Sequence, residues 1–466
     1  MKKHKNKKPV LQKLLQRMKR NRITILLSLW FSSMWSWILF TDTLDLAGNK
    51  RQGLIIGILV LVINVALSVF IMRKMITAMD RIFTVYSPYI ALALGIPLFA
   101  LADFLIAWIP ALLWIGPQGR FDSILPMSTP TLIFINSPLA FSSRIIGFFG
   151  IGGIVWLIAY LISKKRFRMY AIIPTAFLCI ISVIGWVMWR SPNGTTFTAS
   201  VVSESLNQRV DPINTKGTNL IIFPEYGLDK ITNENLEDRL NTTTDRATYF
   251  LGSHEFLPKD RVGHFNRLLY GNSKDGIILS QDKYRLIPGG EDLPYILRTG
   301  LRASNQKGTL DYFSYAKGTL KGPSQLKMLR MPDGTVVGAA VCSSIIAPED
   351  YRYFARNGAT IFSNSASLTI FKGSPLFSWQ QKSFAKFMAI SNSRYFLQSA
   401  NSARAYILDN NGKTLAETTG FNVINARVKN NTQKTLYTYI GEHLVVFGAI
   451  LSLILLLQYM RSRLST

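Results

Sequence analysis

Cysteine is almost absent, with Cys179 and Cys342 the only two in 466 residues. Cys179 falls in an apolar run long enough to cross a membrane and Cys342 in a stretch of mixed polarity. A bridge between them is geometrically disfavoured, and Cys342 is expected to be a free thiol. Metal-ligand spacing, a phosphate-binding glycine loop, internal repeats and low-complexity segments are also missing, so no cofactor or metal is expected. Acidic residues are scarce, 26 against 53 lysines and arginines, for a net charge of +27. That excess raises the question of a nucleic-acid partner. The chain has no zinc-finger spacing and no aromatic-spaced basic module, so no nucleic acid is expected.

Much of the positive charge has a different explanation. Lys2, Lys3, Lys5, Lys7, Lys8, Lys13, Arg17, Lys19, Arg20 and Arg22 precede the first apolar run with no acidic residue among them. Residues 1–22 thus read as a cytoplasmic flank held to anionic lipid. Apolar residues make up 48% of the chain and the mean hydropathy is +0.19. They crowd before residue 190 and after 438, leaving roughly 245 residues between, enough for one large domain with its own core.

The apolar runs Ile23–Phe40, Gly53–Met72, Tyr89–Ile115, Ile145–Ile162 and Tyr170–Trp189 predict five spans within residues 23–189, and Tyr439–Tyr459 predicts a last one. Residues 116–143 are apolar but broken by Pro117, Pro126, Pro130 and Pro138, and read as a membrane-associated loop. Asp103, inside the third run, is expected to face the bundle interior or a polar cavity, in a packing or functional role. Basic clusters at Arg73-Lys74-Arg81, Lys164–Arg168 and Arg461-Arg463 fall on one side if both termini are cytoplasmic. The 460–466 tail is then inside and residues 195–435 form an extracytoplasmic domain. The run after the basic N-terminus is read as a retained anchor, because no small-residue cleavage site follows Phe40.

Within that domain, strand pairs are predicted about Lys274-Asp-Gly276, Pro332-Asp-Gly334 and Asn410-Asn-Gly412, and a buried strand over Asn219–Phe223. Helical spacing marks Pro348–Arg356 and Trp379–Ser391, so the domain reads as an α+β sandwich.

Three predicted strands end on a reactive side chain: Phe223-Pro-Glu225, Asp282-Lys283 and Val341-Cys342. Cysteine is among the most often buried residue types, and a strand-end Pro-Glu is usually only a turn, so each alone is weak. Together they could carry acyl chemistry: a glutamate takes the thiol proton, a lysine stabilises an oxyanion and a thiolate attacks a carbonyl.

The order and context of these motifs resemble the nitrilase (carbon-nitrogen hydrolase) superfamily. Asn219-Leu-Ile-Ile-Phe-Pro-Glu225 resembles its glutamate motif and Lys283-Tyr-Arg-Leu-Ile-Pro-Gly-Gly-Glu291 its lysine motif. Cys342–Arg352, with Gly358-Ala359 and Ser363-Asn364, resembles its cysteine motif. Lys317 rivals Lys283 for the lysine role but lacks the Leu-x-Pro-x-Gly-Glu that follows Lys283. A domain held between an N-terminal bundle and one C-terminal span looks like the apolipoprotein N-acyltransferase branch.

The resemblance implies an αββα sandwich on a multi-pass α-helical membrane protein of the bacterial cell membrane. It implies Glu225 as general base, Lys283 as oxyanion stabiliser and Cys342 as nucleophile, with Glu291 and Asn364 supporting; Ser343 and Ser344, directly after the nucleophile, are expected to support the site from their position. Its implied partners are a phospholipid acyl donor and a lipoprotein acceptor, served by a monomer. The chain departs from that pattern in carrying Ser343-Ser344 where Tyr-Glu directly follows the cysteine, and in lacking a tryptophan upstream of the glutamate motif. The alternatives are a membrane-tethered amidase, which would transfer the acyl group to water, and a non-catalytic lipid- or lipoprotein-binding module.

Overall fold

The computed structural model describes residues 50–115, 129–205, 207–208, 210, 217–229, 248–260, 263–286, 291, 295–311, 319–320, 322–323, 325–369 and 375–464. The expected Ile23–Phe40 span, the basic flank before it, the start of the proline-rich loop and the rival Lys317 lie outside them.

Strands alternate with helices between two apolar helical segments. The first sheet holds β1 (Thr196–Glu204), β2 (Leu220–Ile222), β3 (Tyr249–Phe256), β4 (Phe265–Asn272), β5 (Gly276–Asp282) and β12 (Val423–Lys429). β1, β2 and β3 run parallel, β4 and β5 follow as an antiparallel meander, and β12 pairs antiparallel with β1. The second sheet holds β6 (Met328–Arg330), β7 (Val336–Val341), β8 (Ile361–Ser367), β9 (Tyr395–Asn401), β10 (Tyr406–Leu408) and β11 (Thr414–Glu417). Its centre, β7-β8-β9, is again parallel, with antiparallel strands outside it. The sheets join where Ser203 and Glu204 of β1 pair with Ala400 and Asn401 of β9.

All three predicted hairpins are present, because each turn supplies the glycine its geometry needs: Gly276, Gly334 and Gly412 all have positive φ. In β2 and β3 the period-2 alternation of strand side chains divides the residues between two cores. Leu220, Ile222 and Leu251 join the large core shared with β7 and β8, while Ile221 and Phe250 join a smaller cluster with Val202, Phe223, Leu228 and Leu269 on the other face. Helices Pro348–Arg356 and Pro375–Asn392 contact the second sheet, completing an outer layer of the αββα arrangement.

Three stretches of described helix, Pro88–Ala107, Pro138–Ser163 and Lys165–Trp189, are long and apolar enough to cross a membrane, and His443–Gln458 is a shorter apolar helix. The Gly53–Met72 run lies inside a longer helix, Lys50–Val85. Asp103 is buried and accepts a hydrogen bond from Trp156 Nε1 at 3.2 Å.

Two details differ from the sequence-based expectation. The second half of the proline-rich segment is folded, as helix Thr129–Phe134 and a 3-10 turn at Pro138–Ser142. Pro130 and Pro138 sit in the first turn of each, where a missing N–H costs nothing. The final apolar run is split, with a short helix Leu436–Ile440, Gly441 at φ 61° and then His443–Leu464.

The domain and the apolar helices are bolted together by buried polar groups. Arg144 has no exposed surface, and it donates to the carbonyls of Ile390, Gly185 and Asn410 and to Asn411 Oδ1, at 2.7–3.0 Å. The Ser143–Ser163 helix breaks at Gly147, and the Glu442 carboxylate accepts from the freed Phe148 and Phe149 amides at 2.6 and 3.2 Å. A carboxylate suits that position because the amides at a helix start point outward unpaired.

Candidate active site

Glu225, Lys283 and Cys342 each follow the last residue of a strand run, and the two sheets bring them to one place. Glu225 stands three residues beyond β2. Its amide donates to Ala366 O and its carbonyl accepts from Asn401 Nδ2, so the ends of β8 and β9 fix its backbone. Lys283 directly follows β5, where its amide donates to Asn266 O at 2.7 Å. Cys342 directly follows β7 and opens the 3-10 turn Cys342–Ile346. It adopts φ 45°, a left-handed conformation that costs a side-chain-bearing residue of order 1–3 kcal/mol and turns the thiol out of the strand. Small groups at the carboxyl ends of parallel strands are where α/β sheets commonly form sites.

The side chains meet in a buried cluster. Lys283 Nζ lies 2.9 Å from Glu225 Oε1 and 2.7 Å from Glu291 Oε1. Asn266 Nδ2, also fully buried, donates to the same Glu225 oxygen. The thiol lies within hydrogen-bonding reach of the Glu225 carboxyl and of Ser367 O, the latter 3.6 Å from Sγ. The nucleophile turn is further tied to the lysine segment, with Ser343 Oγ donating to Arg285 O and the Arg285 guanidinium paired in bidentate fashion with Asp350 at 2.6 and 3.0 Å. Asn364 Nδ2 reaches Cys342 O at 3.4 Å and Gln398 Oε1 at 3.1 Å, while Ser344 is buried in the turn.

Electrostatics follow from one cation between two carboxylates in a dry site. Burial pushes the Glu225 carboxyl up, and the nearby Glu291 charge adds to this against the pull of Lys283. Burial opposes the Lys283 charge, but Glu225 and Glu291 outweigh it and hold the ammonium well above its ordinary range. Burial and then the Glu225 charge push the Cys342 thiol well up. The resting cluster therefore holds a neutral thiol beside a carboxylate of raised basicity. Such an arrangement can transfer the thiol proton to Glu225 as sulfur attacks a carbonyl, with Lys283 fixed as a cation for the oxygen that becomes charged.

All seven residues singled out from the sequence lie in or beside this cluster. Sequence reading gave no role to Asn266 or Asn401, nor to Arg285 and Asp350, although the last two lie inside the lysine and cysteine motifs. Asn266 holds the Glu225 carboxylate and Asn401 its carbonyl, and their placement depends on strand register. Among the described residues no group of His, Cys, Asp or Glu could hold a metal ion.

The chain matches the carbon-nitrogen hydrolase family over residues 198–435, just over half its length, and it belongs to that family. Members of the nitrilase superfamily are enzymes, typically with Cys-Glu-Lys catalysis. No match was found among curated proteins. Solved structures to which the chain is similar include Nit3 of Saccharomyces cerevisiae, a member of branch 10 of the nitrilase superfamily, at 13% identity and TM-score 0.36, covering 51% of this chain and 91% of that one. An amidase from Nesterenkonia sp. is 12% identical with TM-score 0.35, covering 52% of this chain and 93% of that one. XC1258 from Xanthomonas campestris, a CN-hydrolase superfamily protein, is 16% identical with TM-score 0.33, covering 50% of this chain and 91% of that one.

Proposed function

We propose that this protein is a membrane acyltransferase resembling apolipoprotein N-acyltransferases. It would act at the outer face of a bacterial cell membrane as a monomer with both termini cytoplasmic. The observation that carries the reading is the attachment of the reactive cluster. The chain enters the domain from one apolar helix ending at Trp189 and leaves it into another beginning at His443, and helix Pro375–Asn392 contacts the Ser143–Ser163 helix. A soluble hydrolase needs no such tether, whereas an enzyme acting on lipid gains from it. Drawing an acyl chain into water would cost about 0.8 kcal/mol per exposed CH₂.

The reaction has two balanced halves. In the first, Glu225 takes the Cys342 proton and sulfur attacks an acyl ester carbonyl of phospholipid. Lys283 stabilises the oxyanion, and collapse forms the thioester as the glycerol oxygen leaves with the proton from Glu225. In the second, the α-amine of a lipid-modified N-terminal cysteine attacks the thioester, Glu225 takes the amine proton, and the thiolate leaves and is reprotonated. Glu291 holds Lys283, Ser343 and Ser344 shape the turn, and Asn364 secures its first carbonyl.

A second reading, transfer to water by a membrane-tethered amidase, is favoured by the family description itself, which names a hydrolase. Mass spectrometry after incubation with phospholipid, and separately with a fatty-acid amide, tests both. An acyl adduct on Cys342 that passes to an added lipopeptide amine is the expected outcome. An adduct released only to water selects the hydrolase, and no adduct at Cys342 from either the phospholipid or the amide overturns both.

A further inference from the structure

A cavity of about 440 Å³ opens beside the cluster and is used by nothing described above. Its floor is formed just past the ends of two strands that reach the site. Leu368 follows Ser367, whose carbonyl receives the Cys342 thiol, and Ser402 follows Asn401, whose amide holds the Glu225 carbonyl. One wall is the first half of helix Pro375–Asn392, whose later residues Lys386 and Phe387 meet Asn136 and Phe148 of the apolar segment. The size suits a small polar headgroup rather than a peptide.

The lining is sorted by chemistry. Leu368, Trp379 and Tyr406 offer apolar surface, and Lys382, Arg404 and Glu417 stand together. Lys382 Nζ is 2.8 Å from Glu417 Oε2, while Arg404 Nη1 is 3.9 Å from Glu417 Oε1 and its side chain is 70% exposed. Two cations share one carboxylate, leaving one positive charge with donors turned outward. The complement is a single negative charge bearing several acceptor oxygens.

From this we propose that the cavity is a subsite for the phosphodiester of the phospholipid acyl donor. Arg404 and Lys382 contact the phosphate, and Leu368 and Trp379 line the way from the glycerol to Cys342. The inference rests on the acyltransferase reading and adds the donor's recognition group. Arginine suits the role because its planar fork meets phosphate oxygens in pairs, and a charge-assisted contact of this kind is among the stronger hydrogen bonds.

The test compares two donors in detergent-solubilised full-length protein: a diacyl phospholipid, and a p-nitrophenyl ester of the same fatty acid, which has no phosphate. Wild type and Arg404→Gln are followed for acylation of Cys342 by each, with Lys382→Gln as a second variant. The subsite predicts that Arg404→Gln lowers kcat/KM for phospholipid at least tenfold more than for the ester, through KM, and that Arg404→Lys recovers part of the loss. Equal changes for the two donors, or none, overturn the subsite while leaving the acyltransferase reading intact. If neither donor acylates wild-type Cys342, that reading falls and the subsite falls with it.

Discussion

Lys283 Nζ sits 2.9 Å from Glu225 Oε1, and neither side chain has appreciable contact with solvent. A buried pair of this kind is seldom retained for stability alone, since desolvating both charges offsets much of their attraction. With Glu291 on the other side of the ammonium, the pair sets which group can move a proton and which cannot.

The first expectation concerns the nucleophile. Cys342→Ala and Cys342→Ser should both abolish acyl-adduct formation while leaving the protein folded, because a hydroxyl is far harder to ionise than a thiol. Cys179, exposed on an apolar helix, should tolerate Ser with little effect. Peptide mapping that finds the acyl group on Cys179 would move the centre elsewhere.

Glu291→Gln should lower turnover on the order of 100-fold, about 2.7 kcal/mol of transition-state stabilisation, because Ser343-Ser344 directly after the nucleophile supply no carboxylate and Glu291 is the second carboxylate on Lys283. Thermal unfolding should change little. Activity within a few-fold of wild type would reduce Glu291 to a structural carboxylate.

The pH profile carries a sign. Glu225 works as its carboxylate, and burial raises its pKa above the ordinary value of 4.5. The acylation rate should therefore fall with decreasing pH through a midpoint above 4.5, not at it. Glu291 contributes to that rise, so Glu291→Gln should move the acid limb to lower pH, a shift that a merely structural role would not cause. Stopped-flow acylation of the wild type and this variant across pH measures both.

Asn266→Ala should reduce kcat more than KM, by roughly tenfold, the scale of one charged hydrogen bond in a dry site. Its buried amide donates to the Glu225 carboxylate and fixes its orientation. Asn266→Asp should be worse than Ala, since a second carboxylate there repels Glu225. Equal kcat in all three proteins would reject the positioning role.

Arg144→Met should destabilise the protein by about 3–5 kcal/mol, because it leaves the carbonyls of Ile390, Gly185 and Asn410 buried without their donor. Thermal unfolding in detergent should show a clear fall in midpoint. An unchanged midpoint would mean that the apolar helices and the domain are joined by other contacts.

What the sequence by itself determined is what local chemistry controls. Gly276, Gly334 and Gly412 set the three hairpins, the apolar runs set the helices, and the three strand ends present Glu225, Lys283 and Cys342. The strands it did not reveal, such as Ile361–Ser367 with four small or polar residues buried throughout, take their partners from distant segments and have no turn to mark them. Asn266 faces Lys283 only because of the β4–β5 pairing, and that pairing shifts by one residue at a bulge between Tyr270 and Gly271. Asn401 reaches Glu225 only because β9 joins the two sheets beside β1. A strand's turns and hairpin register are written locally, but neighbour order among distant strands comes from their packing, as with Asn401 and Glu225, 176 residues apart. The tertiary structure therefore decided that Asn266 would hold the Glu225 carboxylate and Asn401 its backbone carbonyl.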